Sequence, residues 1–109
     1  MKKKKPRSNT VNILGTQYQI ITDVDGTLLP QGWVGSCDVV TKTITLKFFA
    51  EGELGFEHCE KYLRHELIHA FFYESGLDEY YQNEMLTDWL AMQFPKLADV
   101  MRNMQTRNI

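Results

Sequence analysis

The chain has 109 residues, of which 43% are hydrophobic and 12% aromatic, and its formal net charge is -2 at pH 7. This length suits one small domain with a modest core, and the composition excludes an intrinsically disordered chain. No apolar run approaches the roughly 18 residues of a membrane span, and no apolar segment follows the first lysines as in a secretory signal. Cys37 and Cys59 form neither a CxxC pair nor a disulfide framework, so we expect a reducing cytoplasm.

The charge is unevenly distributed along the chain. Lysines fill positions 2–5 and Arg7 follows, so the remainder of the chain is acidic overall. We predict a disordered basic tail over residues 1–10 and a single domain over residues 11–109. The favoured interpretation of the tail is a solvated segment, and a contact with nucleic acid or an anionic surface is the less favoured alternative.

The first half of the chain predicts β-strands. Apolar and β-branched residues predict one strand at about 17–22 and a second over 39–48, with Lys42 and Lys47 at exposed positions of the second. Turn-forming residues at 25–26 and 30–32 predict a loop between the two strands.

The second half predicts helices. Residues 56–75 carry an apolar stripe at helical spacing, and Gly76 is a predicted C-cap. A second helix is predicted over 79–94, which Pro95 ends or kinks, and a short third helix over 96–103. The stripe consists of Cys59, Leu63, Leu67 and Ala70. Strands followed by helices predict an α+β fold in one domain.

An HExxH motif lies inside the first predicted helix, at His65-Glu66-Leu67-Ile68-His69. Residues four apart on a helix differ by only about 40° around the axis, so both imidazoles point the same way and away from the apolar stripe. Two converging imidazoles are typical ligands of a catalytic zinc ion, and Glu66 can act as general base towards its water. The alternative is a helix with two partly buried histidines and a surface ion-pair glutamate.

A catalytic zinc site needs a third protein ligand. Glu74 and Asp78 lie at or just past the end of the same helix and fold back poorly. Glu84 lies on the next helix, which can cross the first, and Asp88 shares its face. We predict Glu84 as the ligand and Asp88 as the carboxylate that orients a histidine, with Glu79 as a further acidic candidate.

The HExxH motif followed by Asn83-Glu84-Met85-Leu86-Thr87-Asp88 resembles the gluzincin pattern, HExxH then NExxxD. The segments 35–38 and 43–46 are similar to those of small phage-associated gluzincins and of ImmA/IrrE-type metallopeptidases. The resemblance covers about residues 17–97.

The resemblance implies a Zn²⁺ ion bound by His65, His69 and Glu84, with Glu66 as catalytic base and Asp88 as the partner of His65. It also implies a zincin-like fold, in which a small, twisted, mainly antiparallel sheet packs on the HExxH helix and a crossing glutamate helix. A peptide or protein substrate would add as a β-strand to an edge strand near 39–47.

The expected function is therefore that of a zinc metallopeptidase, an endopeptidase that hydrolyses peptide bonds through a zinc-activated water. Larger gluzincins stabilise the oxyanion from a C-terminal region that this chain lacks, and the substitutes considered are Tyr73, Tyr80, Tyr81 and His58. Two alternatives follow. One is a zinc-bearing regulatory or binding module with little turnover, and the other is a latent peptidase blocked by its own tail, residues 99–109.

A second motif competes with this interpretation. Asp23-Val24-Asp25-Gly26-Thr27 follows a predicted strand and resembles the DxDGT motif of haloacid-dehalogenase-type phosphatases. The remaining length is too short for that fold and is occupied by the zinc pattern. The favoured interpretation is a turn between strands, where Asp and Gly are common.

Overall fold

The computed structural model describes residues 8–48 and 53–104; the side chains of Ser8 and of residues 53–58 are outside this description. Four strands precede two helices, so the small α+β domain follows the order that the sequence predicts. No helix in the described segments is long and apolar enough to cross a membrane. The elements are β1 (Ser8–Ile13), β2 (Thr16–Asp23), β3 (Gly35–Asp38), β4 (Thr43–Lys47), α1 (Glu53–Glu74) and α2 (Glu84–Met104).

The four strands form one mixed sheet in the order β1-β2-β4-β3. The pairs β1–β2 and β3–β4 are antiparallel, whereas β2 and β4 are parallel, with Ile20 opposite Ile44. The parallel pair arises because the chain leaves β2, forms β3 at the far edge and turns back into β4.

The predicted edge strand near 39–47 is wrong on two counts. Residues 39–42 form a turn, in which Asp38 Oδ1 accepts the N–H groups of Val40 and Thr41 at 2.9 and 3.1 Å. The remaining strand β4 lies between β2 and β3, so its backbone groups are paired on both sides. Its β-branched composition fits a central strand equally well. In the described sheet, the edges are β1 and β3.

Strand β1 was not predicted, and residues 8–10 of the expected tail belong to it. Its hairpin with β2 turns through Leu14 and Gly15, with φ of 51° and 92°. Two left-handed residues match the twist of a two-residue hairpin, and Asn12 Oδ1 accepts the N–H of Gly15 at 2.8 Å. Leucine is a poor signal for such a turn, so the hairpin was not predicted from the sequence. Residues 1–7 lie outside the described residues.

The hydrophobic core lies between the sheet and α1. Ala70 is buried, and Leu63 and Leu67 pack against the core, so three of the four stripe residues face the sheet as predicted. The buried sheet residues of this cluster are Ile13, Tyr18, Ile44 and Leu46. Because the stripe packs against the sheet, the His65/His69 side of α1 is available to contact another element.

A helix cap defines each end of the connection between α1 and α2. Gly76, at φ 87°, donates its N–H to the carbonyl of Tyr73, and Leu77 N–H donates to Phe72, which is the predicted C-cap. Turns follow until Asn83, whose Oδ1 accepts the N–H of Leu86 at 3.0 Å. This N-cap starts α2 at Glu84, five residues later than the sequence predicts.

Helix α2 continues through Pro95, so a helix end at this residue and the separate third helix are wrong. Proline has no N–H to donate to the carbonyl four residues earlier, at Ala91. The guanidinium of Arg64, on α1, donates to that carbonyl instead, at 3.1 Å from Nε. This contact satisfies the orphan acceptor and fixes α2 against α1.

The Arg64 contact can be tested by a double-mutant cycle. Replacing Arg64 by Met should lower the free energy of unfolding by about 1–2 kcal/mol, because the Ala91 carbonyl loses its donor. In a Pro95→Ala background, residue 95 supplies a helical N–H, so the same replacement should cost clearly less. Urea unfolding of the four proteins gives the coupling, and equal costs in both backgrounds would contradict this role.

A polar cluster joins the far end of α1 to the sheet. The Glu74 carboxylate accepts hydrogen bonds from Tyr18 Oη at 2.6 Å, Lys42 Nζ at 2.7 Å and Thr16 Oγ1 at 2.8 Å. Hydrogen bonds from Lys42 and Tyr18 lower the pKa of Glu74 to about 2. The cluster connects the β1–β2 hairpin and the turn before β4 to the last turn of α1.

The Glu74 cluster predicts an acid-sensitive component of stability. A carboxyl whose folded pKa of about 2 lies below its ordinary value of 4.5 binds its proton more weakly when folded. It therefore stabilises the fold above pH 4.5, and this contribution is lost as the pH falls towards 2. Urea unfolding between pH 7 and 2.5 should show a smaller loss for Glu74→Gln than for the wild type. Glu79→Gln, at an exposed turn, is the control, and equal losses for Glu74→Gln and the wild type would contradict this account.

Candidate metal centre

Two histidines of α1 and one glutamate of α2 meet where the helices cross. His65 and His69 are one turn apart on α1, on the side that does not pack on the sheet. Glu84 is the first residue of α2, placed there by the Asn83 cap. The structure thus brings together the three residues that the sequence proposed as ligands.

The ligand atoms of this triad lie close together. His65 Nε2 is 2.8 Å from Glu84 Oε2, and His69 Nε2 is 3.0 Å from Glu84 Oε1. The two Nε2 atoms are 3.1 Å apart. The histidines are largely buried and Glu84 is mostly exposed, so the triad closes one side of an open cleft.

The outer nitrogens of the two rings are directed towards acceptors. His69 Nδ1 donates to the backbone carbonyl of Tyr81, and His65 Nδ1 lies 3.5 Å from Asp88 Oδ1. The proton on His69 Nδ1 leaves its Nε2 with a lone pair beside the Glu84 carboxylate. Two acceptors in contact are stable only with a proton or a metal ion between them.

The donor set suits zinc. Two imidazole nitrogens and a carboxylate oxygen form a known catalytic zinc set, with bonds of about 2.0–2.2 Å. Tetrahedral ligands at that distance are about 3.4 Å apart. The contacts within the triad, at 2.8–3.1 Å, are somewhat shorter than this spacing. All three ligand atoms lie within 4.8 Å of one another, and no second cluster of this kind occurs among the described residues.

The third residue of the motif, Glu66, is buried in the wall of the cleft. Burial raises the pKa of its carboxyl to about 7, and the negative charge of Glu84 adds to this shift. A carboxylate with a pKa near neutrality can both accept and return a proton at physiological pH.

Strand β3 passes close to Glu66 at Gly35. A Cβ atom at this glycine would lie 3.1 Å from Glu66 Oε2 and 3.3 Å from its Cγ. Gly35 therefore leaves room for the Glu66 carboxylate beside the edge strand. Neither this role of Gly35 nor the contact of the Tyr81 carbonyl with His69 was predicted. A glycine in a strand is a weak signal, and a backbone acceptor leaves no signal in the sequence.

The cleft has a volume of about 630 Å³. Residues 32–37 form one wall, and α1 together with the segment from Tyr81 to Asp88 forms the other. The segment 99–104 belongs to α2 and does not line the cleft, which removes this part of the expected blocking tail; residues 105–109 are outside the described residues.

The other predicted candidates lie elsewhere. Glu74 belongs to the polar cluster, and Asp78 and Glu79 are exposed in the turn before α2. Among the substitutes for an oxyanion donor, Tyr81 lines the cleft, with its ring packed edge-on against Tyr73. Tyr73 and Tyr80 do not line it, and the side chain of His58 is outside the described residues.

The competing phosphatase motif has a structural role. Asp23, at the end of β2, accepts backbone N–H groups from Thr27, Leu28 and Leu29 at 3.0–3.1 Å. Burial acts to raise the pKa of Asp23, but these hydrogen bonds outweigh it and hold the pKa below its ordinary value. The carboxylate therefore organises the loop from β2 to β3, as the turn interpretation expects.

Comparison with known proteins gives no assignment: the chain matches no family model, no curated protein and no solved structure.

Zinc binding is the direct prediction from this geometry. The wild type should bind one zinc ion, and His65→Ala and Glu84→Ala should bind it far more weakly. Losing an outer hydrogen bond to a ligand costs about 10–100-fold in affinity, so Asp88→Asn should give a smaller defect than either ligand variant. Competition with a chromophoric chelator measures each affinity.

The matched control is Asp99→Asn, which changes an exposed carboxylate on the same helix. It should bind zinc like the wild type. Equal affinity in the wild type, His65→Ala and Glu84→Ala would show that the triad does not hold the metal.

Proposed function

We propose that this protein is a zinc-dependent metallopeptidase. The observation that carries the proposal is the convergence of His65, His69 and Glu84 beside Glu66, at the bottom of an open cleft. The resemblance of the two motifs to those of gluzincins supports the same reaction class. The domain would then be a minimal zincin-like fold.

The proposed reaction assigns separate tasks to the residues of the cleft. When zinc is bound to such a ligand set, it polarises a carbonyl oxygen and lowers the pKa of its water towards 7. Glu66 removes the proton from the attacking water and later delivers it to the leaving amine. Asp88 and the Tyr81 carbonyl orient the two imidazoles, whose Nε2 atoms both face Glu84 and would hold the zinc ion together with it.

The substrate is proposed to bind along β3. This strand pairs only with β4 among the described strands, and its residues line the cleft beside Glu66. An extended peptide can therefore add to its free edge, with backbone hydrogen bonds holding the scissile bond near Glu66. This placement replaces the edge near 39–47 that the sequence analysis expected.

A zinc-bearing binding or regulatory module is the second candidate. The observation that favours it concerns stabilisation of the oxyanion, for which no motif places a donor. Among the predicted substitutes whose side chains are described, Tyr81 alone lines the cleft, and its ring packs against Tyr73. The two candidates differ in turnover and share the metal site.

Replacing Glu66 by Gln separates the proposed chemistry from metal binding. The amide cannot accept the water proton, so peptide cleavage should fall by more than about 100-fold while zinc stays bound. A quenched-fluorescent peptide library, with zinc determined in parallel, measures both quantities. Glu60→Gln, an exposed position on α1, is the control and should cleave like the wild type.

Peptide cleavage by Glu66→Gln at the wild-type rate would contradict the role of Glu66 as general base. A zinc-loaded wild type that cleaves no member of the library would favour the binding module.

A further inference from the structure

One end of the cleft combines a cation with two aromatic rings. Lys61 and Tyr62, on α1, line this end together with Trp33, which precedes β3. Lys61 Nζ lies 5.9 Å from the centroid of the Tyr62 ring, and Trp33 keeps 54% of its surface exposed. Exposed aromatic surface beside a cation suits a ligand with both an apolar and an anionic group.

The charges along the cleft are separated by sign. Lys61 is the one Lys or Arg among the described residues that line it, whereas Glu66, Glu84 and Asp88 are acidic. An anionic group on a bound peptide is therefore attracted towards the Lys61 end of the cleft.

The direction of β3 tells which end of a peptide reaches Lys61. Gly35 lies beside Glu66, and Lys42, just after β3, pairs with Glu74 at 2.7 Å. Strand β3 thus runs in the same sense as α1, and Trp33 lies towards the start of the helix. Antiparallel pairing is the more stable arrangement. The C-terminal part of a peptide that pairs antiparallel to β3 lies next to Trp33 and Lys61.

The spacing sets how far this part extends. Lys61 precedes His65 by one turn, about 6 Å along the axis of α1. An extended peptide advances about 3.3 Å per residue, so a group one or two residues after the cleaved bond comes level with Lys61.

We propose that Lys61, Tyr62 and Trp33 form a specificity subsite for a carboxylate next to a bulky apolar residue, one or two residues after the cleaved bond. The carboxylate comes from the C-terminus of a peptide or from an acidic side chain. This inference rests on the proposed peptidase function and adds the class of substrate to it.

Binding of three peptides tests the subsite without relying on cleavage. The probes are acetyl-Ala-Ala-Phe-Ala with a free C-terminus, the same peptide amidated, and amidated acetyl-Ala-Ala-Phe-Glu. The host is zinc-loaded Glu66→Gln, which leaves the probes intact, and calorimetry gives Kd. An ion pair at an exposed position is worth up to about 1 kcal/mol, so the free acid should bind about fivefold more tightly than the amide.

Charge reversal provides the decisive comparison. Adding Lys61→Glu to the same host should abolish or invert the preference for the carboxylate. Lys96→Glu, at an exposed position on α2, makes the same charge change outside the cleft and should preserve the preference. Tight binding of the amidated Glu peptide would assign the subsite to acidic side chains as well; its absence would restrict the subsite to C-termini.

Three results would overturn the subsite: equal Kd values for all three peptides, a preference that survives Lys61→Glu, or no binding of any probe. These differ from failure of the proposed reaction. If the preference holds but the zinc-loaded wild type cleaves none of the probes, hydrolysis is wrong and the subsite stands. If the wild type cleaves them without any preference, the subsite alone is wrong.

Discussion

The crossing of α1 and α2 brings two imidazoles and a carboxylate into contact, and the candidate site depends on this constraint. Two imidazole nitrogens and a carboxylate lie about 3 Å apart, with the outer nitrogen of each ring directed towards another acceptor. The lone pair on His69 Nε2 and the Glu84 carboxylate repel each other unless a proton or a cation lies between them. The three side chains are close enough together to hold a metal ion.

The rest of the fold holds this crossing in place. The stripe on α1 is buried against the sheet, which leaves the histidine side free to meet α2. The Asn83 cap fixes where α2 begins, and the Arg64 contact with Ala91 fixes its path about two turns later. Strand β3 closes the opposite wall at Gly35, beside Glu66. Together these contacts define the positions of the triad and of Glu66.

The sequence predicts the triad because helical spacing alone places His65 and His69 side by side. Glu84 could be predicted because a short connection returns the next helix to the first. The edge of the sheet could not be predicted, because a β-branched strand suits the centre of a sheet as well as its edge. Strand β4 lies at the centre. The continuation of α2 through Pro95 depends on Arg64, a partner remote in the sequence. Long-range contacts of this kind leave no local pattern to find.

X-ray absorption at the zinc edge of the zinc-loaded protein tests the central claim most directly. This account predicts nitrogen and oxygen neighbours at about 2.0–2.2 Å, with the outer scattering pattern of two imidazole rings. Sulfur neighbours at about 2.3 Å, which would implicate Cys37 or Cys59, would contradict it. So would a shell of oxygens without imidazole scattering, because the metal would then lie away from the crossing of α1 and α2.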